Sequence, residues 1–281
     1  MIILVFLGSL FSTLAIGLPV AFALLTTGIV LMTFMGMFNP QIIAQQMITG
    51  ANTFTLLAIP FFLLAGELMN AGGLSRRIVH FAVTCVGHIR GGLGFVAVMA
   101  AVIMASMSGS AAADSAALAA ILVPMMRDAG YNVPRAAGLM AAGGIVAPVI
   151  PPSLAYIIFG VAANVSITGL FLGGIVPGLM MAVSLALMWG FVARKEKVET
   201  LPKSSGSERF KAAGAAVWAL FMPVIILAGI RFGIFTPTEA AVVAAVYALF
   251  VGGVVYRELT WASLYRVFVN AAKTTSIVMF L

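Results

Sequence analysis

Apolar positions run in long blocks along the 281-residue chain, divided by short polar or proline-bearing breaks, which predicts helices that cross a bilayer rather than faces around a soluble core. Residues 2–37 are nearly uncharged and too long for one crossing at about 1.5 Å per residue; Gly17-Leu18-Pro19 supplies the break between helices at 2–16 and 19–37. Asn39 to Thr53 is polar and predicts a surface-lying connecting helix, and Leu56 to Met69 a third span that ends at Asn70-Ala71-Gly72-Gly73. Between 74 and 90, Arg76, Arg77, His80, His88 and Arg90 alternate with apolar residues, as in a basic amphipathic helix lying at the headgroups. Residues 91–126 hold two apolar arms around SMSGSAAAD (106–114), each too short to span comfortably. Arg90 precedes this segment and Arg127 and Arg135 follow it, so both ends read as cytoplasmic and the segment as a re-entrant hairpin. The run 134–163 is interrupted by Pro148 and by Pro151-Pro152, through which no helix continues unbroken, and predicts two half-helices.

A span at 168–193 leads into a charged loop, 194–211, with a Lys-Ser-Ser-Gly-Ser run, the best linker candidate. Spans at 212–231 and 238–255 come next, broken at Gly233 to Pro237, then a less apolar helix to Asn270 and a new apolar start from Thr274. This order repeats the beginning of the chain: GLPVAFALL (17–25) lies against FTPTEAAVV (235–243), and QQMITGANTFTLL (45–57) against RVFVNAAKTTSIV (266–278). Five crossings precede the linker, and an odd number inverts the remainder of the chain. The expected fold is therefore an all-α polytopic membrane protein of inverted repeats, 1–193 and 212–281, with loops 72–92, 127–135 and 194–211 cytoplasmic and 39–53, 164–167 and 233–236 periplasmic. The second repeat stops at Leu281 inside an apolar run, before any second hairpin or second broken helix, so a truncated chain is expected.

Composition agrees: 63% of residues are hydrophobic and 8% charged, against roughly 25% charged in a soluble domain. The net charge of +7 comes from 15 Lys and Arg spread over short loops, without the basic stripe and interleaved aromatics of a nucleic-acid binder; the positive-inside bias accounts for it. Cys85 is the one cysteine, which excludes a disulfide framework and a cysteine metal cluster, and His80 and His88 lack carboxylate neighbours. The N-terminal run has no basic n-region or small-residue cleavage site and reads as a retained helix. No Ser-His-Asp set or metal-ligand spacing is present, and GGLG (91–94) has neither the preceding strand nor the lysine of a phosphate loop, so the chain does not read as an enzyme.

Candidate chemistry sits where helices break at membrane depth: SMSGSAAAD, and APVIPPS at 147–153. Unpaired backbone groups there cost several kcal/mol each unless they are buried in protein or line a site. Unwound carbonyls and serine hydroxyls suit Na⁺, and half-helix N-termini favour anions. The other reading makes Ser108, Gly109 and Ser110 a tight turn of small packing residues. Asp114 opens the second hairpin arm, as a helix-capping or dipole-stabilising acid or as an ion ligand. Glu67 reads as the partner of a basic loop residue, or as a proton site. Glu239 follows Thr236-Pro237-Thr238, where proline begins a helix and Thr236 or Thr238 caps it.

Four stretches, LLAIPFFLLAGELMNAGGLSRR (56–77), MASMSGSAAADSAALAAILVPMM (104–126), GGIVAPVIPPS (143–153) and FTPTEAAVVAAVYAL (235–249), resemble in order the large, DctM-like membrane subunit of tripartite ATP-independent periplasmic (TRAP) transporters, closest to the diketogulonate type. The resemblance implies an elevator-type, sodium-driven carrier of small carboxylates, of the C4-dicarboxylate or sugar-acid class, in the bacterial inner membrane. It also implies two partners, a small four-helix membrane subunit and a periplasmic solute-binding protein. By the family pattern one Na⁺ lies between Ser108, Gly109 and Ser110 at the hairpin tip and the break from Gly144 to Ser153, which includes Pro151 and Pro152; a second lies in a second hairpin and broken helix. Two other readings are a dicarboxylate carrier that works without a binding protein and a truncated subunit that does not transport.

Overall fold

A computed structural model describes residues 1–194 and 200–280; Lys195, Glu196, Lys197 and Glu199 of the expected linker lie outside the described residues. The secondary structure is α-helical, with no strand among the described residues, and proline, glycine and asparagine set its boundaries. In α1 (Ile2–Ala15) and α2 (Val20–Phe34) the separation falls at Gly17, in the left-handed region at φ +88, and at Pro19. Asn39 caps α3 (Pro40–Ala51) by accepting from the Gln41 amide, with Pro40 at the first helical position.

The chain divides into two compact units, Met1–Phe54 with Lys273–Leu281, and Thr55–Ala272. In the first, α1 packs on α2, and the ring of Phe22 meets that of Phe280 edge to face at 5.4 Å.

In the second unit, α4 (Ala58–Ala71) runs along α12 (Pro237–Phe250), and a π-turn (Val251–Val255) extends α12. Both helices carry small buried residues, Ala58 and Ala65 on α4 and Ala241, Ala244 and Ala248 on α12. A Cβ on Gly72 would come within 2.9 Å of Gly252 Cα, so only glycines permit this backbone approach. The amphipathic helix appears as α5 (Leu74–Val86), which buries Leu74, Ile78, Val79 and Ala82 and exposes Arg76 and His80; it packs on α11 (Gly206–Arg231) and on α6 (Gly92–Ser108). At its start Arg77 pairs with Glu258 at 2.6 Å and lies 3.7 Å over the Tyr256 ring, while the Tyr256 hydroxyl donates to Ala215 O at 2.7 Å. The cluster thus ties α5 to α11 and to the turn before α13 (Trp261–Phe280). Arg77→Ala is expected to destabilise the fold by about 1.5 kcal/mol, the lower end of the range for hydrogen bonds to charged groups, because both side chains remain partly exposed to screening solvent. Thermal unfolding should show Arg77→Ala/Glu258→Ala costing less than the sum of the single changes.

α6 and α7 (Ala111–Asp128) form the expected hairpin, and α8 (Val133–Gly144) and α9 (Leu154–Ala162) the two halves of the interrupted helix. The base of the hairpin is fixed to α10 (Ile167–Ala193): Trp189 donates from Nε1 to Gly91 O at 2.8 Å and stacks on Tyr131. Among the described residues, four helical segments suffice by length and composition to cross a membrane: Phe54–Ala71, α10, α11 and Pro237–Val255. The apolar α1, α2 and α6 are shorter than these, so α1 and α2, expected as spans, do not reach that length.

Three expectations change. α11 begins at Gly206 rather than 212, because Ser205 and Glu208 form a reciprocal capping box inside the segment read as linker. α13 continues through 270–274, where two helices were expected, since Asn270-Ala271-Ala272-Lys273 holds no proline or glycine to stop it. Glu67 lies beside the side chain of Asn270 on α13 rather than beside a basic loop residue.

Candidate functional site

The hairpin tip and the helix break meet. α6 ends at Gly109, whose left-handed backbone (φ +61) turns the chain within two residues into α7. A Cβ at Gly109 would stand 2.5 Å from Pro152 O and 3.2 Å from Ser153 Cα, so the tip backbone rests directly on the break. A second contact joins the segments below it, where Gly144 lies against the Ser115 hydroxyl and a Cβ there would come within 2.8 Å of Ala111 O. On the other side of the break, Val146, Ala147 and Ile150 pack with Ala105 of α6 in one apolar cluster. α4 closes over the tip at Gly66, where a Cβ would stand 3.1 Å from Ser108 Cβ.

All seven residues predicted for the primary site therefore belong to this junction: Ser108, Gly109, Gly144, Pro151, Pro152 and Ser153 are buried and Ser110 is half-buried. The bonds of their hydroxyls determine which atoms face where. Ser108 Oγ donates to Asp114 Oδ1 at 2.5 Å and accepts from Ser110 N at 3.2 Å. Ser110 Oγ accepts from Ala113 N and so caps α7, and Ser153 Oγ donates to Pro148 O at 2.6 Å and accepts from Tyr156 N, capping α9. Ser108 and Ser153 each send their proton back into protein and retain a lone pair, the state in which a hydroxyl accepts a cation.

Backbone oxygens complete the set. The Gly109 amide returns no capping hydrogen bond to α6, so carbonyls of its last turn remain open at the negative end of its dipole. In the break, Pro148, Pro151 and Pro152 carry no N–H, and no backbone hydrogen bond among the described residues reaches the carbonyls of Pro151 or Pro152. Two helix N-termini, of α7 and α9, and two C-termini, of α6 and α8, converge here.

Asp114 stands in the first turn of α7, where an acid favours the helix dipole as the sequence reading had it, and it makes a further bond that the sequence reading did not name. The cap of α7 is Ser110, and Asp114, 1% exposed, reaches back six residues across the tip to hold Ser108. Its second oxygen, Oδ2, is buried without a hydrogen-bond partner among the described residues. A serine two residues before a helix cap, with a carboxylate in that helix's first turn, is the sequence signal for this pair. Thr236 and Glu239 are committed elsewhere: Thr236 Oγ1 accepts from Glu239 N, and the Glu239 carboxylate accepts from Thr236 N and Oγ1, a closed capping box for α12 behind Pro237.

Comparison with known proteins places these motifs. A family model described as "Tripartite ATP-independent periplasmic transporter, DctM component" matches residues 7–281. The chain is 57% identical, over its whole length and 66% of the relative's, to the 2,3-diketo-L-gulonate TRAP transporter large permease protein of Escherichia coli. It is 44% identical over 96% of its length to the sialic acid TRAP transporter large permease protein of Vibrio cholerae, covering 64% of it. It is 41% identical over 87% of its length to the C4-dicarboxylate large permease protein of Pseudomonas aeruginosa, covering 58% of that protein. The chain thus spans between 58% and 66% of the length of these relatives, which are permeases and not enzymes. With its helical spans, its paired hairpin and its broken helix, the chain is a multi-pass membrane protein that belongs to the DctM family of TRAP transporter large permeases.

Proposed function

We propose that the chain is the permease component of a sodium-coupled secondary transporter that imports small organic acids, of the sugar-acid or C4-dicarboxylate class, across the bacterial inner membrane. In this reading the substrate is delivered by a periplasmic solute-binding protein, a small four-helix membrane subunit completes the assembly, and the hairpin and broken helix move together in an elevator-type cycle between inverted repeats. The relatives named above support the substrate class, since they are named for diketogulonate, sialic acid and C4-dicarboxylates.

One observation carries the sodium assignment: the Gly109 backbone seats on Pro152 and Ser153, where open carbonyls of the tip and of the break meet hydroxyls whose protons point away. Na⁺ is a hard cation that takes oxygen ligands, and neither segment alone supplies enough of them. Binding therefore joins hairpin to broken helix, and the buried carboxylate of Asp114 supplies a countercharge. The ion offsets the desolvation cost of both breaks. The test is sodium-dependent uptake into liposomes carrying the permease with its small membrane subunit and binding protein. Ser108→Ala and Ser110→Ala should shift the sodium titration to higher concentration, Ser108→Ala more strongly, with substrate selectivity retained. An unchanged sodium curve in both variants at equal protein levels would leave the serines as packing residues.

A further inference from the structure

Beside the break, α6, α10 and α11 line a cavity of about 280 Å³ whose walls include Ile103, Ser106, Pro151, Leu179, Leu220 and Leu227. Ser106 is the polar side chain of this lining, and its hydroxyl donates to Ile103 O at 2.7 Å, so it offers little to a polar ligand. Two small or donor-poor residues border the space: Ser106, and Pro223 inside α11, which carries no backbone N–H. An apolar cavity of about 150 Å³ already stays dry and takes up benzene, so this one, nearly twice that size, favours an apolar occupant over water. Of the lining residues Leu179 is 48% exposed, and it adjoins the exposed Val176, Met180 and Val183 on α10. In a multi-pass membrane protein that outer face of a long apolar helix is covered by fatty chains.

We propose that this cavity binds the distal part of a phospholipid acyl chain, which enters past Leu179 and packs on Ile150 and Pro151. Those two residues immediately precede Pro152 and Ser153, on which the hairpin tip rests, so the chain supports the helix break from behind.

The experiment reconstitutes the unaltered protein in phosphatidylcholine vesicles doped with phosphatidylcholine that bears a diazirine at the end of one acyl chain, followed by photolysis and peptide mapping. Label is expected on Ile103 and Leu227 inside the cavity as well as on Val183 and Leu187 of the outer face, and a diazirine placed beside the carboxyl end should lose the cavity label. Filling the space from either wall, with Val102→Phe or Leu220→Phe, should remove the cavity label while that on Val183 and Leu187 persists. Label confined to the outer face of the unaltered protein would overturn the proposal and show a cavity closed or filled by protein. Cavity label that persists in both filled variants would equally overturn it.

Discussion

Gly109→Ala is expected to separate the hairpin tip from the helix break and to abolish the response of the fold to sodium. An L-residue in the left-handed region costs about 1–2 kcal/mol, and overpacking against a backbone adds about 1–3 kcal/mol. Here the new Cβ would stand 2.5 Å from Pro152 O, which no rotamer change relieves. Gly130→Ala is the control, because Gly130 has the same handedness (φ +79) and a Cβ placed there would meet nothing within 4 Å, so it should incur the conformational cost alone. Thermal unfolding in sodium and in choline chloride separates the two: Gly130→Ala should keep its sodium-induced stabilisation, and Gly109→Ala should lose it.

Asp114→Ala should lower sodium affinity by about 1.5–3 kcal/mol, the range for hydrogen bonds to charged groups, or roughly tenfold to a hundredfold. The carboxylate accepts the hydrogen bond of the Ser108 hydroxyl, and without it the hydroxyl is free to turn its hydrogen toward the cation position. Asp114→Asn keeps an acceptor for Ser108 but removes the charge, so an intermediate loss is expected. Asp128→Asn, at the exposed far end of α7 beside Arg127, should leave the sodium titration unchanged.

Much of this site was legible because its elements announce themselves by interruption. Pro151-Pro152 in an apolar run forces a break, and two apolar arms bounded by Arg90, Arg127 and Arg135 force a hairpin. Both breaks carry small polar residues where unsatisfied backbone is costly in a membrane, which singled out each segment, and the family resemblance supplied their pairing. The partner of Asp114 was not read from the sequence, whose one signal for it is a serine two residues before the helix cap, since the bond depends on the left-handed turn at Gly109 that brings residue 108 over residue 114. Nor was the Arg77–Glu258 pair, whose members are 181 residues apart and meet only once α4 and α12 are packed together. The capping box at Thr236 and Glu239 was visible in TPTE, whereas the one at Ser205 and Glu208 was hidden in a stretch whose charges and serines read as linker.

Whether one sodium ion joins the hairpin tip to the helix break is tested most directly by hydrogen–deuterium exchange of the purified protein in sodium chloride and in choline chloride of equal ionic strength. Amides of 105–115 and of 146–156 should slow together in sodium, and the amides of α5 and α11 should not change; equal exchange in the two salts across both segments would contradict the shared site.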